Sequence, residues 1–320
     1  MQQTGPVQGA AADAEIALSQ DLRELKPGGA RSTRRRGFAL FAGQGSKWSK
    51  LIFYLVVGFF VLNLVGMVGS VILDSFGHEW FATWFPSSYS TEWYSYLTTD
   101  EGHDIGQLLF NTFFVALAAT LFALIVGFPA AYVLARKQFR FKSALTALYL
   151  LPMLIPSLAY GIPLATLLLR VGLGDLIGSS LVNVVIINMV PILPFVILIL
   201  TPFIEQVDVS LERASQMLGA NRLQTFVRVV LPLVIPGILT AGVLAMVRAI
   251  AMFELTYLVA DASSGTLVVA LYGDAFGAGI RPNQAIDALA VIYMLTTMAL
   301  LVVALIFVKP TQFVVRLKGR

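Results

Sequence analysis

Of the 320 residues, 58% are apolar and only 12% charged, and the mean hydropathy is +0.81. A water-soluble chain carries about 25% charged residues, so a soluble globular enzyme and an intrinsically disordered protein are both excluded, and a membrane protein is left. The net charge of +4 then bears on membrane topology rather than on nucleic acid. With no cysteine, disulfides, thiolate catalysis and cysteine metal sites are excluded as well.

Residues 1–46 are rich in Gln, Ala, Gly and charge, with a basic cluster at Arg31, Arg34, Arg35 and Arg36, and predict a disordered cytoplasmic tail. No apolar stretch lies early enough for a cleavable signal, so the first span is expected to act as an uncleaved anchor. Six apolar blocks follow, at 51–73, 108–134, 143–169, 181–200, 233–259 and 286–308. Each is close to the roughly 20 residues that cross about 30 Å of hydrocarbon as a helix. The expected architecture is all-α and integral to the membrane, with six transmembrane helices.

Basic residues set the orientation. Eight precede the first block; Arg136, Lys137, Arg140 and Lys142 lie between the second and third. Arg213, Arg222 and Arg228 lie between the fourth and fifth, and Lys309, Arg316, Lys318 and Arg320 follow the sixth. The 74–107 loop has Asp74, Glu79, Glu92, Asp100, Glu101 and Asp104 but no Lys or Arg, and the other two outer loops carry only Arg170 and Arg281. The positive-inside rule therefore predicts both termini in the cytoplasm. The 74–107 loop also holds Trp80, Trp84, Trp93, Tyr89, Tyr94 and Tyr96, the composition of an interfacial aromatic belt, and His78 and His103, read as solvated loop histidines.

Signatures of chemistry are missing. Gly43–Trp48 falls short of a phosphate-binding loop, since it lacks the spacing and the hydroxyl after Lys47. No zinc-protease, nucleophile-elbow or paired-carboxylate pattern is present. The expectation is a non-enzymatic protein with no catalytic residue, no metal and no cofactor, in which any ATP hydrolysis belongs to a partner.

The interval from Glu205 to Leu231 is too polar to span. Leu211, Ala214, Met217, Leu218 and Phe226 alternate with Glu212, Arg213, Gln216, Arg222, Gln224 and Arg228, and Gly219 interrupts the pattern. That predicts two short helices along the membrane surface. The run Leu211-Glu212-Arg213-Ala214-Ser215-Gln216-Met217-Leu218-Gly219-Ala220-Asn221, followed by Leu231-Pro232, resembles the cytoplasmic EAA loop of the permease subunits of bacterial ABC importers. The family reads E-A-A, three residues, G, then L-P nine or ten residues on. Counted back from Gly219, however, the Glu position holds Arg213, and the acid stands one place earlier at Glu212. The resemblance continues through Asn111-Thr112, Gly127–Tyr132, Leu151-Pro152, Ile155-Pro156 and Leu193-Pro194-Phe195.

This resemblance implies a MetI-like permease domain over 108–308, preceded by a first helix and external loop at 47–107 and followed by a tail at 309–320. It implies a coupling helix whose Glu212, Arg213, Ala214, Ser215, Met217, Leu218, Gly219 and Ala220 meet a cytoplasmic ABC ATPase. Further implied partners are a second permease subunit, an extracytoplasmic solute-binding protein and the lipid of a bacterial inner membrane. Arg248 and Glu254 are the only charges deep in a predicted span, so they are candidates for a solute path or a structural ion pair. Thr256, Tyr257 and Asn188 join them as path candidates. The Arg-to-Glu segment resembles the spermidine/putrescine, iron(III) and phosphonate branch, which implies a polyamine or iron(III), with sugar or phosphonate as alternatives. An ion-coupled secondary carrier is the remaining alternative, and it would need coupling residues in the spans that are not evident.

Overall fold

A computed structural model describes residues 47–79, 85–99, 103–277 and 281–307. The N-terminal segment with its arginine cluster at 31–36, the C-terminal segment with Lys309, Arg316, Lys318 and Arg320, and also Trp80, Trp84, Asp100 and Glu101 lie outside the described residues.

Helix α1 (Lys47–Ser75) divides between two compact units at Val65. In the first unit, the apolar side chains of residues 51–65 are exposed on every face. A helix that is apolar all round belongs in lipid. The second unit starts with the end of α1, a two-stranded ribbon of β1 (Gly77–Glu79) and β2 (Ser88–Tyr89), and the short α2 (Glu92–Tyr96). The small ribbon is the one departure from an all-helical reading among the described residues.

The body of the second unit is built on α3 (Ile105–Arg136) packed along α7 (Leu181–Glu205), with α10 (Leu231–Ile250) laid against both. Small residues allow that approach: Ala116, Ala119, Ala123 and Ala131 of α3, and Ala241 and Ala245 of α10, are fully buried. At Gly237 the fit is closest. A Cβ there would stand 2.5 Å from Cγ of Phe203. Helix α13 (Asn283–Phe307) closes the order, reached through α12 (Leu267–Phe276).

Among the described residues, α1, α3, α7, α10 with the turn before it, and α13 are long and apolar enough to cross a membrane. The expected spans at 51–73, 108–134, 181–200 and 286–308 thus extend by a few residues at most of their ends. Two expected spans are not straight. The 143–169 block is α4 (Lys142–Leu154) and α5 (Ser157–Val171), which meet at 94°. Ile155 is extended, with φ −87° and ψ 139°, because the ring of Pro156 excludes the helical region from the residue before it. Pro156 then serves as the N-cap of α5. Six spans result only if this bent pair counts as one.

The 233–259 block also divides. Helix α10 stops at Ile250 and α11 (Glu254–Val259) begins after three residues. No proline lies at this break. What it exposes is met locally: Met252 N–H bonds to the carbonyl of Ala249 at 3.2 Å, and Thr256 Oγ1 donates to the carbonyl of Met252 at 2.8 Å. Arg248 stands in the last turn of α10 and Glu254 in the first turn of α11. Cation at a C-terminus and anion at an N-terminus are the signs the two helix dipoles favour. The two charges therefore flank a helix break and are not embedded in one continuous helix.

Candidate functional site

The Glu205–Leu231 interval forms one helix and a tight turn that runs directly into α10. Helix α8 (Val209–Met217) starts at Asp208, whose carboxylate accepts from Ser210 N–H at 2.8 Å. That hydrogen bond holds the exposed Asp208 carboxyl below its usual range. At the other end Gly219 N–H bonds to the Gln216 carbonyl at 3.0 Å, and Ala220 N–H to the Ser215 carbonyl at 3.1 Å. This pair is a Schellman closure, which needs a left-handed residue at its centre, and Gly219 supplies φ +89°.

Asn221 then caps α9 (Arg222–Thr225) in a reciprocal capping box with Gln224. The expected second surface helix is not separate. It passes through a π-helical turn (Phe226–Val230) into α10, so it is the N-terminal end of that long helix. Ser215 Oγ and Thr225 Oγ1, 2.8 Å apart, tie the two arms of the turn together.

The loop is fastened to the end of α3. Tyr132 Oη donates to Glu212 Oε2 at 2.6 Å, and Arg136 Nε lies 2.7 Å from Glu212 Oε1. The Arg136 Nε–H is not aligned on that oxygen, so this second contact is chiefly Coulombic. Arg136 Nη2 also donates to the Val207 carbonyl at 2.6 Å, gripping the chain just before α8. Both charged partners are nearly out of water, with 8% of the Glu212 side chain and 11% of Arg136 exposed. Phe226 packs on Phe128 and Tyr132 of α3, with ring centroids 4.8 and 5.0 Å away.

The eight residues expected to meet an ATPase are thus not equivalent. Glu212 is buried and points into the subunit, while Ser215 and Ala220 are partly covered. Arg213, Ala214 and Gly219 are exposed, and Met217 and Leu218 are 88% and 89% exposed at the tip. Sequence reasoning missed Tyr132 and Arg136 as the anchors. Their i, i+4 spacing puts two polar side chains on one face of an otherwise apolar helix end, a signal that could have found them.

The path candidates separate in the same way. Asn188 and Thr256 are buried inside the subunit, where Asn188 Nδ2 donates to Thr256 Oγ1 at 2.8 Å and joins α7 to α11. Thr256 also bonds the Met252 carbonyl, so the pair ties the helix break to α7. Arg248 is half-buried and its guanidinium lies 5.2 Å from the Phe195 ring centroid. Glu254 and Tyr257 are exposed. Tyr257 belongs to a cluster with Phe253, Tyr272 and Phe276, whose adjacent ring centroids are 4.5 to 5.4 Å apart. Among the described residues no ion pair joins Arg248 to Glu254.

On the opposite, acid-rich side the histidines are not simply solvated. His78 Nδ1 contacts Glu92, and His103 Nε2 lies 2.8 Å from Asp274, whose other oxygen meets Arg281 at 2.9 Å. The loop between α11 and α12 is stitched to α3: Asn111 donates to the carbonyls of Ser263 and Gly265, each at 2.9 Å, and Thr112 accepts from Leu267 N–H at 3.0 Å. Within that loop Asp261 accepts from the backbone and hydroxyls of Ser263 and Ser264 at 2.7–2.9 Å. Burial alone would raise its carboxyl, but these hydrogen bonds, together with one from Ser180, hold it well below the usual range. Among the described residues no cluster of three or more acids and histidines fits a metal.

The profile of the family described as "binding-protein-dependent transport system inner membrane component" matches residues 123–310. The sulfoquinovosyl glycerol transport system permease SmoH of Agrobacterium fabrum is 29% identical over 167 residues, 52% of this chain and 56% of that protein. The spermidine/putrescine permease PotB of Escherichia coli is 33% identical over 171 residues, 49% of this chain and 62% of that protein. The chain therefore matches little more than half the length of these relatives. A crystal structure of a bacterial ABC transporter that imports the polysaccharide alginate aligns with a TM-score of 0.67 and 18% identity, over 82% of this chain and 98% of that one. At that identity the likeness concerns the fold.

Proposed function

Because the chain belongs to the family of binding-protein-dependent transport system inner membrane components, we propose that it is the membrane-spanning permease subunit of an ATP-driven importer. The observation that carries the proposal is the anchored loop: a capped, Schellman-closed turn that holds Met217 and Leu218 out of the subunit while Glu212 locks it to α3. Two apolar side chains held almost fully in water by a rigid turn suit a docking partner. That partner is a separate ABC ATPase on the cytoplasmic side.

Force on the loop passes through Glu212 to the end of α3 and, through the continuous π turn, to α10. From there it reaches the break at 251–253, where α11 and the Glu254–Tyr257 segment can change their exposure as the halves of the transporter rock. A second permease subunit completes the path, and an extracytoplasmic binding protein delivers the solute. Glu254 and Tyr257 are the path residues of choice, with Arg248 beside them. The chain lies in the inner membrane with both termini in the cytoplasm.

The substrate is a small solute, and a polyamine is the first to test. The resemblance to the spermidine/putrescine branch and the exposed Glu254 favour a cation, whereas SmoH favours a sugar conjugate. The iron(III) alternative has no support in these relatives. Reconstitution tests the function: uptake into proteoliposomes should need ATP, the ATPase and the binding protein together. Uptake driven by an ion gradient from this chain alone would overturn it. Glu254→Gln should lower uptake while leaving assembly intact; loss of assembly would make Glu254 structural.

A further inference from the structure

The acid of the coupling segment stands one residue earlier than the family pattern places it, and the structure gives that shift a physical meaning. One residue is about 100° of helix rotation. On α8 it separates a side chain buried against α3 from one in solvent: Glu212 is 6% exposed, Arg213 is exposed. The negative charge is consumed within the subunit by Arg136 and Tyr132. The outward position, which in the family pattern is Glu, carries a cation.

Glu212 is the only acid between Val209 and Arg228, whereas Arg213, Arg222 and Arg228 are all exposed. Arg213 and Met217 are four apart on α8 and so share a face, and Arg222 opens α9 directly beyond the turn. Asp208, whose carboxylate feels Arg213, already caps α8 through Ser210. The exposed tip is therefore an apolar pair, Met217 and Leu218, flanked by Arg213 and Arg222, neither of which forms an ion pair among the described residues.

Building on the permease reading, we propose that the docking groove of the cognate ATPase is acidic, with carboxylates opposite Arg213 and Arg222 around an apolar pocket for Met217 and Leu218. The charge pairing across this interface is reversed relative to one in which the permease supplies the acid. Reversed charges would set partner choice, because a basic groove would meet Arg213 with like charge. A consequence is that ATPases built for an acidic coupling helix do not substitute for the cognate one.

The test uses the full-length chain and the ATPase that supports uptake in the reconstitution above. Arg213→Glu should weaken retention of that ATPase by about tenfold or more, and Arg213→Gln by less, with the salt sensitivity of docking reduced in both. An Asp or Glu to Arg change in the groove should restore the Arg213→Glu variant. Met217→Asp serves as the control for docking as such. If Met217→Asp releases the ATPase but Arg213→Glu does not, the acidic groove is wrong and the coupling loop stands. If neither variant affects retention, the loop is not the docking site and both readings fall. If Arg213→Glu leaves ATPase retention intact but reduces binding of the loop to vesicles of anionic lipid, the positive charge serves the membrane and the proposal is overturned.

Discussion

Replacing Glu212 by Gln should unfasten the loop over residues 208–230 without unfolding the subunit. Both ends of the Glu212–Arg136 pair are nearly excluded from water, at 8% and 11% exposure. Removing one partner from such a pair costs about 3–5 kcal/mol, because the other charge is left buried and uncompensated. Gln keeps an acceptor for Tyr132, and Arg136 keeps the Val207 carbonyl, so the lower figure applies. About 3 kcal/mol is a factor of roughly a hundred or more in the equilibrium for lifting the loop off α3. The chain has no cysteine, so a single Val230→Cys reports that equilibrium cleanly: Val230, the last residue of the π turn in the loop's return arm, is fully buried. Maleimide should label Val230→Cys slowly in the parent and about a hundredfold faster with Glu212→Gln, if labelling follows the open population. Adding Arg136→Met should bring the rate most of the way back, since a buried pair replaced on both sides leaves no orphan charge. Equal rates in the parent and Glu212→Gln would refute the anchoring role, as would a double variant that labels faster than either single one.

Gly219→Ala meets no neighbour within 4 Å, but it must hold φ +89°, at a cost of about 1–2 kcal/mol. ATPase retention should fall while the melting temperature in detergent stays near the parent value; Gly219→Asn, which tolerates the left-handed region better, should fall less. Gly237→Ala should lower the melting temperature through overpacking of about 1–3 kcal/mol, because the new methyl would lie 2.5 Å from Phe203 Cγ, and Phe203→Ala, which removes Cγ and the ring, should relieve part of it. Thr256→Val removes the acceptor for Asn188 and the donor to Met252 together, and should destabilise α11 by about 1–3 kcal/mol where Thr256→Ser does not. Asp261 has a folded-state carboxyl below its unfolded value, so its stabilisation is present above the unfolded value of about 4 and is lost progressively as the pH falls from there through the lowered value. Hydrogen exchange of the 261–266 loop should thus be unaffected by that carboxyl between neutral pH and about pH 5, while Asp261→Ala should speed it throughout.

Hydropathy located the membrane helices well because lipid imposes a length and a composition that no tertiary contact overrides. It failed where an apolar run hides a break. Across 143–169 and 233–259 the composition stays apolar, so only local stereochemistry reveals the ends. At Ile155-Pro156 that chemistry is written in the sequence as a proline, and it marks a turn near a right angle rather than a kink. At 251–253 there is no such mark. The break there is held by Thr256 and Asn188, 68 residues apart in the chain, and a partnership at that distance has no local signature. The loop motif was legible through Gly219 and Leu231-Pro232, whereas its anchors Tyr132 and Arg136 were not, since Tyr132 meets Glu212 across 80 residues.

Arg248 and Glu254 show how a tertiary feature changes the meaning of charge in a membrane. Read along an unbroken helix, they are two costly groups separated by a turn and two-thirds, each in need of a partner. Placed at the facing ends of two helices, they complement the dipoles those ends expose, and Arg248 adds the Phe195 ring. Part of the cost of each charge is met without a salt bridge among the described residues, and the Glu254 carboxylate stays exposed. The arrangement also couples shape to charge: straightening the 251–253 break would merge the two ends and remove the dipole support from both residues at once. A variant that favours one continuous helix should therefore alter the surroundings of Glu254 even though the carboxylate itself is untouched. In Phe253→Ala/Met252→Ala, where helix propensity rises across the break, uptake should fall as in Glu254→Gln; uptake equal to the parent would mean that the break, and the charges that flank it, lie off the solute's route.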